Sequence, residues 1–342
     1  MKKSKAGHIS HPGAIIITAF TCMLILASCI SDGERNKEAN SVTAQKEEIK
    51  DSLKRIGGED IATALLAGEY ERLYTQFSNP LKDVVTLKDF RSMGQDFVSD
   101  IHSFKLTSKL QLNGQESIVW DGQTGNKGLT AAIDEKGTIN GIQIIQHSSY
   151  PQTDEAYSKT EFHFPFQGEW LVFWGGKNTF INYHYEYEPV RYAYDFVVEK
   201  NSYSYEGDPT VNESYYAFDE DVLAPAEGVV AAAVDGILDN DPVGTVNEDQ
   251  PAGNMVTIRH SNGEYSTIAH LKKGSVTVKT GDTVAAGQLI GKCGNSGNST
   301  EPHIHFQASA PADEANHATI PILFKDHIQP IRGDKVTGSI HS

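Results

Sequence analysis

From Trp170 onward the chain is a succession of short alternating apolar runs cut by Gly, Asn and Asp, with almost no helical periodicity. Alternation with a period of two sends successive side chains to opposite faces of a sheet. Frequent turn residues keep each run short. The pattern predicts an all-β domain of antiparallel strands over residues 169–328.

The preceding stretch reads differently. Ile61, Leu65, Leu66, Tyr70, Leu73, Tyr74 and Phe77 recur at helical spacing, and Asn79-Pro80 breaks that helix. Leu87 to Ile101 predicts another helix. Phe104 to Leu110, Ser117 to Asp121, Gly128 to Asp134 and Ile139 to Gln146 predict strands, with Asp134-Glu-Lys-Gly137 as a hairpin turn. Residues 51–150 therefore read as an α+β domain, 151–168 as a linker and 329–342 as a tail. Helices followed by an antiparallel sheet resemble the cystatin-like cone of nuclear-transport-factor-like accessory domains. No catalytic constellation stands out there, so a structural or docking role is the default. Arg332-Gly-Asp334 in the tail carries no weight as an adhesion motif.

The first residues set the compartment. Lys2, Lys3 and Lys5 precede an apolar core from Ala14 to Leu26, the length of a signal segment rather than a membrane span. Leu26-Ala27-Ser28-Cys29 resembles a bacterial lipobox. The resemblance implies cleavage after residue 28, lipidation of Cys29 and attachment to a bacterial membrane, on the periplasmic side. Residues 29–50 are polar and aperiodic, as a tether needs to be. Cys22 leaves with the signal, so Cys293 is the only free thiol and no disulfide framework is expected. Cys293 reads as a small buried side chain. The chain carries 29 basic and 45 acidic residues, a formal net charge of −16, and losing three lysines with the signal deepens it to −19. That excludes nucleic acid as a partner and leaves lipid, not charge, as the means of membrane attachment.

Chemistry concentrates near the end. Gly291-Lys-Cys-Gly-Asn-Ser-Gly-Asn-Ser-Thr-Glu-Pro-His303-Ile-His305-Phe306 places two histidines on one face of a strand, aimed at one metal or one reacting group. Upstream stand Gly253-Asn-Met-Val-Thr-Ile-Arg-His260, Ile268-Ala-His270-Leu271, Val278-Lys-Thr-Gly-Asp-Thr-Val284 and Gly287-Gln-Leu-Ile-Gly291. In this order they resemble the lysostaphin-type, or LytM-like, zinc endopeptidases that act on peptidoglycan. The resemblance covers about residues 170–310 and implies a barrel-like antiparallel sandwich of the duplicated hybrid motif type. It implies zinc as cofactor and cell-wall peptides as substrate. By the same resemblance His305 is a metal ligand, and His303 and His270 are catalytic. Asp195, in Arg191-Tyr-Ala-Tyr-Asp195-Phe, is a second ligand.

One position departs from the family pattern. Four residues before Asp195, where a His ligand is expected, stands Arg191, which is always charged and cannot bind zinc. The replacement candidate is His184, in Asn182-Tyr-His-Tyr. Residues 179–186 and 191–198 read as two strands joined by Glu186-Tyr-Glu-Pro189, which would bring His184 near Asp195. Arg191 would then share a face with Asp195 and orient it or bind a substrate carboxylate. If His184 is merely a strand histidine, two ligands remain and the domain is a degenerate binder of wall peptides or of a wall hydrolase. His260 reads as exposed at a hairpin turn, and His163 and His317 lack partner signals. Tyr183, Tyr185, Tyr192 and Tyr194 read as packing residues, one of which could donate to an oxyanion. Val278 to Gly291 also resembles the strands of lipoyl and biotinyl carriers, but no hairpin presents a modifiable lysine.

Overall fold

The computed structural model describes residues 55–311 and 318–339. The expectations for the signal segment, the tether, Cys29 and His317 lie outside the described residues. Among the described residues, no helix is long and apolar enough to cross a membrane.

Four short helices open the fold: α1 (Ile61–Leu66), α2 (Tyr70–Thr75), α3 (Asn79–Val84) and α4 (Leu87–Phe97). The single helix expected from Ile61 to Phe77 is two, because Gly68 adopts φ +75 and ends α1. Asn79-Pro80 begins α3, where a missing N–H costs nothing. Thr86 caps α4 by accepting from the Asp89 amide.

The helices lie on a four-stranded antiparallel meander: β1 (Phe104–Leu112), β2 (Gln115–Gly122), β3 (Lys127–Asp134) and β4 (Ile139–Gln146). Asn113 and Gly114, at φ +52 and +74, make the tight β1–β2 turn. In β2, alternation sends Ile118 and Trp120 into a core with the helices, while Val119 points the other way. Val119 there meets Phe180 and Ile181, and Leu110 and Leu112 meet Leu171 and Val197. The sheet is thus buried on both faces, by its own helices and by the second domain.

The second domain comprises β5 (Glu161–Phe162), β6 (Gly168–Trp174), β7 (Tyr194–Val197), β8 (Asp221–Leu223), β9 (Gly228–Val234), β10 (Asn254–Arg259), β11 (Tyr265–Leu271), β12 (Thr283–Val284), β13 (Leu289–Lys292), β14 (Ile304–Ser309), β15 (Thr319–Ile320), β16 (Leu323–Phe324) and β17 (Lys335–Gly338). Nine of these strands form one antiparallel sheet, ordered β12-β9-β10-β11-β14-β7-β6-β17 with β15 beside β14. The expected barrel-like closure is not found. β12 and β17 remain edges, while β8–β13 and β5–β16 form separate two-stranded pieces, the latter parallel. The apolar face of the large sheet packs around Phe162, Phe166, Phe196 and Phe306, each fully buried. Each such ring contributes roughly 1.5–3 kcal/mol from burial alone.

Two boundaries need correction. The expected linker supplies core: Phe162, Phe164 and Phe166 sit inside the second domain, because three aromatics at alternate positions gain more from burial than from solvent. The expected tail contains β17, which pairs with β6, and Arg332, whose guanidinium lies over Trp174 and donates to the Phe180 carbonyl. The Ser108 hydroxyl of β1 donates to the Arg332 carbonyl, tying this segment to the first domain.

Candidate metal centre

The centre grows from strand pairing. β14 lies between β11 and β7, with His305 directly opposite Asp195 and Ala269. Opposed residues share a face. Their neighbours Ile304, Phe306, Tyr194 and Phe196 point into the core, so the opposite face presents His305 and Asp195. The His305 Nδ1 is 3.0 Å from the Asp195 Oδ1.

His184 reaches the same point by another route. It does not lie on a strand, as expected, but in a 3-10 turn over Tyr183–Glu186. The Asn182 side chain makes that turn by accepting from the His184 amide, a local bond that competes with strand pairing. Its Oδ1 also accepts from His184 Nδ1 at 2.8 Å, while its Nδ2 donates to the carbonyls of Gly176, Arg191 and Ala193. The His184 Nε2 is left 3.6 Å from the Asp195 Oδ2. Arg191 is outside the strand, with φ −42 and ψ −39, and so does not share the face of Asp195. Its Nε donates to the Tyr185 carbonyl and its guanidinium stacks 3.5 Å from the Tyr150 ring centre.

His270 is brought in by a bulge. Between β10 and β11, Asn254 pairs with Leu271 but Val256 pairs with Ile268, so an extra residue is accommodated. His270 takes up the excess at φ +62. Regular alternation would send its ring into the core with Ile268; the left-handed residue turns it to the face of His305, with ring centres 5.6 Å apart. His303 sits just before β14, with its ring 4.8 Å from His270 and its Nε2 3.6 Å from the Asp195 Oδ1.

Hydrogen bonds fix which nitrogen of each ring is free. The Nδ1 of His270 donates to the Ser296 carbonyl, and that of His303 to the Glu301 carbonyl, both at 2.8 Å. Gln307 donates through Nε2 to the Pro189 carbonyl, so its Oε1 accepts from His305 Nε2 at 3.0 Å. Lone pairs on His184 Nε2, His305 Nδ1 and an Asp195 oxygen therefore converge. These three donors lie within 4.8 Å of one another and all three residues are buried. A tetrahedral zinc with bonds of about 2.0–2.2 Å separates its ligand atoms by about 3.4 Å, so the set fits a zinc site.

The charges agree with a cation site. Burial alone would raise the Asp195 carboxyl, but His184, His303 and His305 hold it below the usual carboxylate range. Burial lowers His184 to about 4, against the attraction of Asp195, so its ring is neutral and available as a ligand. Burial also pushes His270 well down. His305 is pulled down by burial, yet its bond to Asp195 outweighs this and raises it. In the absence of metal, that spot attracts a proton.

Sequence reasoning missed the residues that orient the rings. Asn182 and Gln307 each lie two positions from a candidate ligand, and that spacing was the available signal. Cys293 is buried, with its thiol pushed up by burial, as expected for a packing residue. His260 is buried, not exposed: its ring bonds the Glu227 carbonyl and the Ser266 hydroxyl. Tyr185, Tyr192 and Tyr194 are buried, whereas Tyr183 is 43% exposed beside His184.

Residues 215–317 match Peptidase family M23, so the chain carries an M23-family peptidase domain. The matched stretch contains His270, His303 and His305, while His184 and Asp195 precede it. The chain is similar to peptidoglycan DD-endopeptidase ShyC of Vibrio cholerae serotype O1, 34% identical over 102 residues, which are 30% of this chain and 22% of that protein. It is similar to DD-carboxypeptidase/endopeptidase Mpg of Neisseria meningitidis serogroup B, 31% identical over 102 residues, with the same shares. Glycyl-glycine endopeptidase ALE-1 of Staphylococcus capitis is 40% identical over 73 residues, 21% of this chain and 20% of that protein. The chain spans about a fifth of the length of the curated relatives it matches.

Proposed function

We propose that this M23-family domain is a zinc-dependent endopeptidase that hydrolyses the peptide cross-links of bacterial peptidoglycan. The convergence of His184, Asp195 and His305 beside two further histidines carries the reading. With His184 in place of the expected ligand four residues before Asp195, three donors are available and Arg191 is no obstacle. His184 through Nε2, Asp195 through a carboxylate oxygen and His305 through Nδ1 would hold the metal. Zinc supplies Lewis-acid polarisation of the scissile carbonyl and a lowered pKa for water. His303 and His270 face the same space through Nε2, the nitrogen left free by their backbone bonds. Through that nitrogen the rings would accept a proton from the attacking water and return it to the leaving amine. A protonated ring also donates to the oxyanion. Asn182 and Gln307 orient two of the ligand rings.

At the other end of the chain, the same reading has Cys29 lipidated and residues 29–50 as the tether that holds the enzyme beside its polymer. Conversion of Cys29 to Ser is expected to release the protein from membranes in a fractionation assay.

Elemental analysis and digestion of cross-linked muropeptides test the activity. About one zinc per chain and cleavage at cross-links are expected, with both lost in His184→Ala and His305→Ala. His303→Ala is expected to keep zinc and lose about 10²-fold or more in rate. Zinc uptake without cleavage of any wall peptide would overturn the reading in favour of a binding domain.

A further inference from the structure

The turn that carries His184 is held within its own domain by Asn182. It is gripped as well by the segment between the two domains. Tyr185, the residue after His184, donates its hydroxyl to the Asp154 carboxylate at 2.9 Å, and Tyr192 donates to the same carboxylate at 2.8 Å. Both tyrosines are almost fully buried, 1% and 3% exposed, and their hydroxyls also meet the Tyr150 amide at 3.3 Å and the Thr153 hydroxyl at 2.6 Å, both of the same segment. Two donors to one carboxylate are charge-assisted bonds, stronger than neutral ones. They clamp the stretch from 185 to 192 at both ends. Further contacts come from the same segment: Ser148 donates to Glu186 at 2.9 Å, and the Tyr150 ring lies under Arg191.

We propose that Asp154 is a positioning residue for His184: from the interdomain segment it sets the turn that aims the His184 Nε2 at the metal. The inference rests on the reading of His184 as a zinc ligand. Asp154 is not one of the three converging donors. Its effect passes through Tyr185 and Tyr192, and it makes a part of the chain outside the matched family stretch a requirement for metal binding. Arg191, in the position the family pattern gives to histidine, belongs to the same clamp.

Zinc affinity, read by competition with a chromophoric chelator, tests this on the full protein alongside thermal stability. Asp154→Ala is expected to weaken zinc binding by about tenfold or more. Gln76→Ala serves as the control for a general loss of stability. It removes bonds to the Ile56 and Gly137 backbone inside the first domain, far from the clamp. It is expected to lower the melting temperature and leave zinc affinity unchanged. If Asp154→Ala does not fold, the double variant Tyr185→Phe/Tyr192→Phe removes only the two hydroxyls and is expected to weaken zinc in the same direction. Parental zinc affinity in folded Asp154→Ala or in the double variant overturns the proposal. An equal loss of affinity in Gln76→Ala overturns it too, since affinity would then follow stability. A parent protein that takes up no zinc overturns the functional reading itself, and this inference with it.

Discussion

Glu301 stands two residues before His303 with its Oε1 enclosed and without a hydrogen-bond partner. Burial pushes its carboxyl up to about 7, against a Ser204 hydroxyl bond that favours the charged form. A carboxyl whose folded pKa lies above its unfolded value stabilises the fold at low pH, and that contribution is lost as pH rises from about 4.5 through about 7. Glutamine has no such titration. The stability of Glu301→Gln relative to the parent is therefore expected to increase across that window and level off above it. Urea unfolding at pH 4.5, 6 and 8 checks this, and a flat difference would contradict it. At the same scale, hydrogen bonds fix the tautomer of all four rings, leaving Nε2 free on His184, His270 and His303 and Nδ1 free on His305. Each is set by one acceptor on the opposite nitrogen: an amide oxygen for His184 and His305, a backbone carbonyl for His270 and His303.

The bulge in β11 is the element on which His270 depends. Its left-handed backbone costs a β-carbon-bearing residue about 1 kcal/mol or more, and glycine almost none. His270→Ala and His270→Gly are both expected to retain zinc and lose rate. The glycine variant should be the more stable by about 1 kcal/mol, as measured by denaturant unfolding. Elements of period two were legible in the sequence. The strands around His303–His305 and Asp195, and the four-stranded meander, follow from alternation over several residues. The 3-10 turn at His184 was not legible, because it rests on single side chains, Asn182 at its start and Asp154 from a distant segment, which leave no periodic trace. The bulge was hidden for the same reason: it is a one-residue irregularity inside an alternating run. Sheet closure was overestimated because alternation specifies faces and says nothing about whether edge strands meet.

At the level of the whole molecule, the two domains share buried surface. Val119, Phe180 and Ile181 form one cluster across the boundary, and Leu110, Leu112, Leu171 and Val197 form another. Asn113 in the β1–β2 turn donates to the Ser204 hydroxyl and accepts from the Ser204 amide. Such an interface was invisible in the sequence, since both faces of β2 are apolar for partners distant along the chain. Calorimetry is expected to show one cooperative transition spanning both domains. Val119→Asp, which places a carboxylate in the cluster, should divide it into two, and a single unchanged transition in that variant would contradict the coupling. The pairing of His305 with Asp195, 110 residues earlier, has a consequence for folding fidelity. A one-residue slip between β7 and β14 would send one of the two to the core face and dismantle the centre. Only the correctly paired molecule brings the three donors together, so a zinc ion bound there would by mass action select against slipped conformers. On the proposed function, the metal would act as a proofreader of strand registration before taking part in any hydrolysis.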